Sequence, residues 1–201
     1  KDYAEYLINY GEIAAKAILS SEDMDLYYAI RNLSDIKENI QSTQKEIRDS
    51  GYKLKTAYNK ISYSSEAAYL ARMNWWTVEY GLIGDINNPK IYGAGLLSSV
   101  AEGENCFKNT VKKIPFSIDC INYSYDITEQ QPQLFVVQNY KFLSKELKKL
   151  SKNMAYKIGG IYGLETAKKA KTLCTVEFDK LIQISGIVKG FIADKKKRIH
   201  F

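Results

Sequence analysis

The chain has 201 residues, of which 45% are hydrophobic and 26% charged, and its formal net charge at pH 7 is +6. This composition is ordinary for a folded protein and excludes a chain that is disordered throughout. The positive charge comes almost entirely from lysines in short runs, rather than from arginines interleaved with aromatic residues, so we expect no nucleic-acid partner. No apolar run approaches the ~20 residues of a transmembrane helix, so we expect no membrane partner.

The three cysteines, Cys106, Cys120 and Cys174, are odd in number and far apart. Their spacing indicates neither a zinc site nor a disulfide framework, and reduced thiols in a cytoplasmic protein are the expected state. The sequence starts at Lys1 rather than at a methionine and stops within a strand-like run. We therefore expect it to have been cut from a longer protein.

The first third of the chain is predicted to be helical. Residues 3–19 carry apolar side chains at helical spacing. Ser21, followed by two acidic residues, is a typical start for a short helix that runs through Ile30. Residues 34–61 are polar and rich in lysine and glutamate, and are expected to form two helices separated by an exposed break near Ser50–Gly51.

The stretch AAYLARMNWWTVEYGLIG, residues 67–84, predicts a central helix that Ser64 or Ser65 can cap and that its glycines can end. One face of this helix is formed by Ala68, Ala71, Trp75, Glu79 and Leu82. Four of these five side chains are apolar or small, so the face is expected to point inward. A buried carboxylate at Glu79 would have to be protonated, hydrogen-bonded, paired with a cation or bound to a metal.

Shorter elements are predicted downstream. Asp85–Pro89 has the composition of a loop, and the segment from Lys90 to Ser99 begins like a strand and becomes glycine-rich. Residues 114–128 are expected to hold one or two short strands, and Gln133–Gln138 another.

Two further helices and a β-rich end follow. Lys141–Met154 is amphipathic, and the side chains expected to face inward are Phe142, Leu143, Leu147 and Leu150. Another helix is expected near residues 161–170, and a meander of short strands from Thr172 onward. The sequence thus predicts a mainly α protein of the α+β type, with one domain over residues 1–170 and the start of a β-rich unit over residues 171–201.

Three motifs resemble the catalytic domain of the tetrahydropterin-dependent aromatic amino acid hydroxylases, the phenylalanine-hydroxylase family. WWTVEYGL is similar to the family's WFTVEFGL, YGAGLLSS is identical to its next motif, and YDITEQQPQLFV resembles its Y-x-x-T-x-x-Q-P-x-x-x-V stretch. The opening YAEYLINYGEIAAKAI is more weakly similar to the helix that follows the family's histidine pair. The resemblance covers roughly residues 3–155 and implies a helical hydroxylase core with short strands.

The resemblance implies a mononuclear iron(II) site built from two histidines and one carboxylate. Glu79 matches the carboxylate ligand, and Trp75 matches a tryptophan that lines the amino-acid pocket. Two groups of positions match residues around the substrate or the pterin. Gly95, Ser98 and Glu102 are on the substrate side, and Ala71 and Asn74 are on the pterin side.

The implied activity is an iron(II)- and tetrahydrobiopterin-dependent monooxygenase that uses dioxygen to hydroxylate an aromatic amino acid, with phenylalanine to tyrosine the preferred reaction. Asn74 and Ala101 depart from the tyrosine and glycine that many members have there. The family's upstream His-x-x-x-x-His segment has no counterpart, and the single histidine, His200, is in the β-rich tail. This fragment alone is therefore expected to be inactive. The alternative is a non-catalytic relative that serves as a binding or assembly module.

Without the resemblance, the same residues have simpler interpretations. Glu79 would more often be a core carboxylate paired with a neighbouring side chain, and Trp76 is expected to fill the core. YGAGLLSS alone would be a turn, because it lacks the phosphate-binding spacing. Glu102 and Glu104 would be exposed loop acids, and they do not by themselves indicate an acid/base pair.

Overall fold

The structure is a computed structural model that describes residues 1–127, 129–178, 182–193 and 199–200. The longer helices are α1 (Asp2–Ala14), α2 (Ser21–Glu38), α3 (Gln44–Lys60), α4 (Glu66–Asn74), α7 (Tyr140–Ser151) and α9 (Gly160–Ala170). The shorter ones are α5 (Ala94–Ser98), α6 (Val100–Asn105) and α8 (Ala155–Ile158), with a π-helical turn at Trp75–Glu79 and a 3-10 turn at Ile118–Asn122. The strands are β1 (Leu82–Asp85), β2 (Asn88–Ile91), β3 (Lys112–Pro115), β4 (Gln133–Val137), β5 (Leu173–Phe178), β6 (Ile182–Ile187), β7 (Ile192–Ala193) and β8 (Ile199–His200). The described part of the chain is therefore mainly α with short strands, as the sequence predicts.

The chain divides into two compact units. The first comprises residues 1–17 and 69–157, and the second comprises residues 18–68 and 158–201. Residues 171–201 thus belong to the same unit as α2 and α3. The predicted domain boundary at residue 170 stays a prediction.

The first unit is organised around a four-stranded mixed sheet with the order β2-β1-β4-β3. Strands β1 and β2 pair antiparallel, with Leu82 opposite Ile91, whereas β4 runs parallel to both β1 and β3. Four successive residues of β4, from Leu134 to Val137, are buried. A continuous apolar run of this kind is typical of a central strand covered on both faces.

Helix α1 packs on α7, and both contribute to the core of the first unit. The largest fully buried side chains of this unit are Trp76, Tyr6, Phe135, Leu70, Met73, Leu82, Leu96, Leu134, Leu143, Leu147, Glu146 and Val137. The predicted amphipathic helix is confirmed in α7, because Leu143, Leu147 and Leu150 are buried. Phe142 is half-buried.

Glu146 is the exception among these core residues, because it is a carboxylate with only 1% exposure. One of its oxygens accepts a hydrogen bond from the backbone N–H of Ile118 at 3.1 Å, and the other lies 2.5 Å from Nζ of Lys149. Glu146 therefore tethers the 3-10 turn to α7. The sequence does not predict this, because Ile118 is 28 residues away.

In the second unit α2 packs against α3, and each helix starts with a capping box. The predicted helix break near Ser50–Gly51 is wrong, since α3 runs through both residues. The Ser50 hydroxyl donates to Oδ1 of Asn32 at 2.9 Å and is buried. The break lies instead between α2 and α3, at residues 39–43, and α2 extends to Glu38 rather than ending at Ile30.

The remaining strand and helix predictions have mixed outcomes. Strand β4, helix α9 and the antiparallel pairing of β5 with β6 are confirmed. The strands predicted over residues 114–128 are largely wrong, because β3 ends at Pro115 and a 3-10 turn follows at Ile118–Asn122. The prediction of a loop over Asp85–Pro89 is largely wrong, because β1 and β2 form a hairpin whose turn is only residues 86–87. In this turn the backbone N–H of Asn87 donates a hydrogen bond to the Asp85 carboxylate at 2.7 Å. Within the described residues, no helix is both long and apolar enough to cross a lipid bilayer.

Candidate functional site

The central helix changes its winding where the candidate site begins. Helix α4 begins directly after Ser65, whose hydroxyl accepts a hydrogen bond from the backbone N–H of Ala68 at 3.0 Å. At Trp75–Glu79 the helix widens into a π-helical turn, closed by the Tyr80 N–H bonding to the carbonyl of Trp75 at 2.8 Å. Such turns are rare and are found frequently at functional sites.

The inward face that the sequence predicts for this helix is wrong. The buried side chains are Leu70, Met73, Trp76 and Thr77, whereas Ala71 is exposed and both Trp75 and Glu79 are half-buried. Leu82 is buried, but it lies in β1. A helix turns by about 100° per residue, so a phase error of one residue rotates the predicted face by that angle. The π turn shifts the later residues further.

Thr77 anchors the π turn in the core. Its hydroxyl donates to the Met73 carbonyl at 2.6 Å and lies 3.1 Å from the hydroxyl of Tyr6. Trp76, expected to fill the core, is confirmed as fully buried, and its indole N–H donates to the carbonyl of Tyr123 at 3.1 Å. The turn that positions Glu79 is therefore fixed by packing on its buried side.

Glycines let the YGAG segment lie directly against the end of the π turn. A Cβ on Gly93 would overlap the carbonyl of Glu79, and one on Gly81 would overlap the carbonyl of Thr77. On Gly95, a Cβ would lie 2.9 Å from Cε2 of Tyr80 and 3.1 Å from the Glu79 carbonyl oxygen. The glycines are therefore required for close backbone approach, and they hold the Glu79 backbone in place.

Trp75 lies between two tyrosine rings. Its ring centroid is 4.5 Å from that of Tyr80 and 4.3 Å from that of Tyr125, with interplanar angles of 26° and 10°. The indole N–H donates to Oε1 of Gln131 at 3.3 Å, and Gln131 donates its amide to the carbonyls of Asp126 and Glu129 at 2.7 and 2.8 Å. Trp75 is thus fixed by stacking and by a hydrogen bond to a buried amide.

Two carboxylates flank Tyr80. Burial raises the pKa of the Tyr80 hydroxyl, and the negative charges of Glu102 and Glu79 raise it further. Burial also raises the pKa of Glu102, although a hydrogen bond from the Gln131 backbone opposes the shift. Burial, Tyr140 and the charge of Glu79 likewise raise the pKa of Tyr3. Glu79 and Glu102 therefore act on the same tyrosine, from the π turn and from α6.

The other predicted residues surround this group less closely. Gly95 lies on α5, against Tyr80, and Ser98 ends the same helix, exposed, with its hydroxyl 3.2 Å from the Gly95 carbonyl. Ala71 is exposed and Asn74 is half-buried, one turn apart on α4. The structure brings Trp75, Glu79, Gly95 and Glu102 together around Tyr80, whereas Ala71 and Asn74 lie on the preceding helix. The roles assigned to all these residues stay predictions.

Sequence reasoning missed Tyr80, Tyr125 and Gln131. Tyr125 and Gln131 lie within the YDITEQQPQLFV motif, so their presence was signalled but their contact with Trp75 was not. Tyr92 was also missed. Its hydroxyl is buried and has no hydrogen-bond partner among the described residues.

The family resemblance implies iron, and the described residues fit it only in part. The Glu79 carboxylate makes no hydrogen bond or ion pair within the described ranges and could serve as one ligand. In those same ranges, however, no group of three histidine, cysteine or acidic residues could hold a metal ion. A complete metal site is therefore not formed by these residues alone, and no chemical step can be derived through iron from them.

A family model described as biopterin-dependent aromatic amino acid hydroxylase matches residues 59–177, more than half of the chain. The chain belongs to this family. The match includes the π turn, the glycine segment and the YDITEQQPQLFV motif, which together form the geometry around Tyr80.

Curated members of the hydroxylase family are similar over shorter stretches. Phenylalanine-4-hydroxylase of Dictyostelium discoideum is 34% identical over 83 residues, which are 41% of this chain and 19% of the relative. Phenylalanine-4-hydroxylase of Vibrio cholerae is 40% identical over 74 residues, 36% of this chain and 26% of the relative. Tyrosine 3-monooxygenase of Schistosoma mansoni is 34% identical over 84 residues, which are 41% of this chain and 18% of the relative. The chain thus matches about a quarter or less of the length of these relatives.

A solved structure of phenylalanine hydroxylase from Chromobacterium violaceum, with iron and phenylalanine bound, is 28% identical. The match covers 52% of this chain and 42% of that one, with a TM-score of 0.39. A TM-score of this size is too low to support a common fold, so family membership rests on the family model.

Proposed function

We propose that the protein is an aromatic amino acid monooxygenase that uses iron(II), a tetrahydrobiopterin-type pterin and dioxygen, and that phenylalanine is its substrate. The observation that carries the proposal is the placement of Glu79. Its carboxylate is half-buried at the end of a π turn, without a hydrogen-bond or ion-pair partner among the described residues, and two glycines fit closely against its backbone carbonyl. An unpaired carboxylate on a restrained backbone is suited to bind a cation.

In this proposal Glu79 holds iron(II) together with ligands other than the residues described. The metal, when bound, supplies the activation of dioxygen. The contribution of this chain is to fix one ligand before the metal arrives, because the Thr77 hydroxyl and the glycine contacts restrain the backbone on either side. Less of the binding free energy is then lost in ordering the ligand.

Trp75 is proposed to meet the aromatic ring of the substrate with its edge. Both of its faces are covered, by Tyr80 and Tyr125, so only the edge of the indole is left for a ligand. An edge-to-face contact is one of the favourable geometries for two aromatic rings. Gly95, Ser98 and Glu102 are proposed to border the amino-acid side of the pocket.

Ala71 and Asn74 are proposed to face the pterin. They are three residues apart on α4 and so share a side of the helix, and Ala71 is exposed. A small side chain at this point leaves room for a flat ring, and the Asn74 amide can both donate and accept hydrogen bonds.

Phenylalanine is the proposed substrate because the similar proteins include phenylalanine-4-hydroxylases of Dictyostelium discoideum and Vibrio cholerae. The similarity to a tyrosine 3-monooxygenase makes tyrosine the second candidate. The cytoplasm is the proposed compartment, because Cys106, Cys120 and Cys174 are free thiols.

The test uses the protein expressed from its complete gene. Iron content is measured by elemental analysis, and tyrosine formed from phenylalanine is measured by chromatography with and without a tetrahydropterin. We expect pterin-dependent tyrosine formation in the natural protein. Glu79→Gln should lose both iron and activity, because a neutral amide lacks the negative charge with which a carboxylate binds a metal cation.

Glu104→Gln is the matched control. Glu104 is an exposed acid on α6, and its substitution removes the same charge as Glu79→Gln does. It should retain iron and activity. If Glu79→Gln also retained both, the assignment of Glu79 would be wrong. If the natural protein bound no iron and formed no tyrosine, the non-catalytic alternative, a binding or assembly module, would replace the proposal.

A further inference from the structure

A charged groove lies in the first unit, between α7 and the first turn of α1. Its volume is 590 Å³. We call it the lysine groove. The side chains that line it are Asp2, Glu5, Lys141, Ser144, Lys145, Lys148, Lys149 and Lys152. None of them belongs to the candidate site around Tyr80.

One wall of the lysine groove is a row of cations. Lys141, Lys145, Lys148 and Lys152 are spaced by four, three and four residues, so they follow one face of α7 and its C-terminal cap. All four are exposed, and none forms an ion pair within the described part of the chain. Like charges at this spacing destabilise a helix by about 0.2–0.5 kcal/mol per pair. At Lys148 and Lys152 this repulsion is offset, because both lie at the C-terminal end of α7, where the helix dipole favours cations.

The opposite wall is negative. Asp2 and Glu5 are three residues apart in the first turn of α1 and so lie on one side of it. Neither carboxylate pairs with a lysine of the groove among the described residues. Lys149 differs from the row, because it is paired with the buried Glu146. The groove thus has a cationic wall and an anionic wall, and no ion pair joins the two walls among the described residues.

We propose that the lysine groove binds an acidic helical segment of a partner protein. The row from Lys141 to Lys152 spans about 17 Å at 1.5 Å per residue, which is about three turns of a docked helix. Acidic side chains at the same spacing would meet the lysines, and a basic side chain on the flank of that helix would meet Asp2 and Glu5. The aliphatic stems of the lysines give the segment an apolar floor.

The composition of the groove favours a peptide over a nucleic acid. The lining contains no arginine and no aromatic ring, so it offers neither bidentate phosphate contacts nor a stacking platform. Asp2 and Glu5 would repel a phosphate backbone, whose charge is uniformly negative, whereas a peptide can carry both signs. The same repulsion disfavours an anionic lipid surface.

The probe is a synthetic helical peptide of about twelve residues, with glutamates at the spacing of the lysine row and one lysine on its flank. Binding to the protein expressed from its complete gene is measured by fluorescence anisotropy at about 50 mM and about 300 mM salt. We expect saturable binding that weakens at the higher salt. Lys145→Ala, Lys148→Ala and Lys152→Ala combined should weaken it by about tenfold, as expected for the loss of three exposed ion pairs.

The control is Lys53→Ala, Lys55→Ala and Lys60→Ala combined, which removes three exposed lysines from α3 and changes the net charge equally. Its affinity for the peptide should match that of the unchanged chain. Asp2→Lys with Glu5→Lys should weaken the binding of the flanking-lysine peptide and strengthen that of single-stranded DNA.

Two outcomes would overturn the proposal. If both triple variants weakened binding alike, only the net charge of the protein would matter. If single-stranded DNA or vesicles containing anionic lipid bound the unchanged chain as tightly as the peptide did, the groove would not be a peptide site. Circular dichroism of each variant verifies that α7 remains folded.

Discussion

The indole ring of Trp75 and the phenol ring of Tyr125 are parallel to within 10°, with their centroids 4.3 Å apart. Tyr125 also meets the fully buried Trp76 edge to face, at 6.2 Å. A single tyrosine from the YDITEQQPQLFV motif therefore orders both tryptophans of the π turn. The contact brings together two motifs that lie 50 residues apart along the chain, at Trp75 and Tyr125.

Removing the Tyr125 ring should loosen Trp75. We expect Tyr125→Ala to destabilise the chain by about 2–4 kcal/mol, because both the buried ring area and two aromatic pairs are lost. The tryptophan fluorescence should also shift to the red as Trp75 gains contact with water. Urea unfolding and emission spectra of the chain measure the two effects. Tyr125→Phe keeps the ring and should differ from the natural chain by less than about 0.5 kcal/mol; equal losses in both variants would show that stacking is not the cause.

The glycine segment gives a second prediction, from a pair of glycines in different surroundings. A Cβ at Gly93 would overlap the Glu79 carbonyl, whereas one at Gly51, inside α3, would meet nothing within 4 Å. Gly93→Ala should therefore destabilise by about 1–3 kcal/mol, as overpacking does. Gly51→Ala should stabilise α3 by about 0.5–1 kcal/mol, because glycine is a poor helix former.

Urea unfolding of both glycine variants, followed by circular dichroism, makes this comparison. If Gly93→Ala were neutral, the close approach of the glycine segment to Glu79 would not be required. In the complete protein, Gly93→Ala should also lower iron content, because the backbone of the proposed ligand must shift.

What the sequence predicts correctly here is local in origin. The apolar spacing of α7 and the continuous apolar run of β4 are patterns within one element, and both predictions are confirmed. The failures involve partners that are remote along the chain. The Ser50 hydroxyl hydrogen-bonds to a residue 18 positions away, and the Trp75 indole hydrogen-bonds to a residue 56 positions away.

The π turn is a further feature that periodicity could not predict. Within it the Thr77 hydroxyl donates to the Met73 carbonyl, and the glycine segment packs against its end. A 3.6-residue pattern assumes a regular helix and therefore assigns Trp75 and Glu79 to a buried face. The motif resemblance selects Trp75 and Glu79 as candidate site residues without depending on the predicted face.

The buried carboxylate of Glu146 gives a third prediction. Glu146→Ala should destabilise the chain by about 2–4 kcal/mol, since it leaves the N–H of Ile118 without its acceptor and opens a cavity beside α7. Glu146→Gln keeps an acceptor oxygen and a similar volume, so it should cost less. Thermal unfolding of both variants tests the order; a larger loss for the glutamine variant would mean that the charge, rather than the hydrogen bond, stabilises the 3-10 turn.

Glu46 should make the second unit sensitive to acid. The backbone N–H and the hydroxyl of Thr43 donate to its carboxylate at 2.7 and 2.8 Å, and these bonds lower the pKa of Glu46 below its ordinary 4.5. A lowered pKa in the folded state means that the carboxylate contributes stability above about pH 4.5 and loses it as the pH falls through the lower, folded value. Glu46→Gln should therefore be less stable than the natural chain at pH 7, and the difference should shrink near pH 3.

Helix content monitored during thermal unfolding at both pH values measures the Glu46 effect. Glu38→Gln is the control, because Glu38 is an exposed acid at the C-terminal end of α2 and has no capping role. Its stability should not drop relative to the natural chain at pH 7. A constant difference between the natural chain and Glu46→Gln from pH 7 to pH 3 would contradict the capping assignment.

The three thiols should react in an order set by burial. Burial raises the pKa of Cys120 to about 12, helped by the neighbouring charges of Asp119 and Glu146, and its side chain has 0% exposure. Because only the thiolate attacks an alkylating reagent, a thiol with that pKa is ionised at about one part in ten thousand at pH 8. Cys120 should therefore stay unmodified in the folded chain, whereas the half-buried Cys174 should be alkylated first. Iodoacetamide labelling followed by peptide mass spectrometry, with and without urea, tests the order. Cys120 should be labelled only when urea unfolds the chain, and its rapid labelling under native conditions would mean that the packing around the 3-10 turn opens readily.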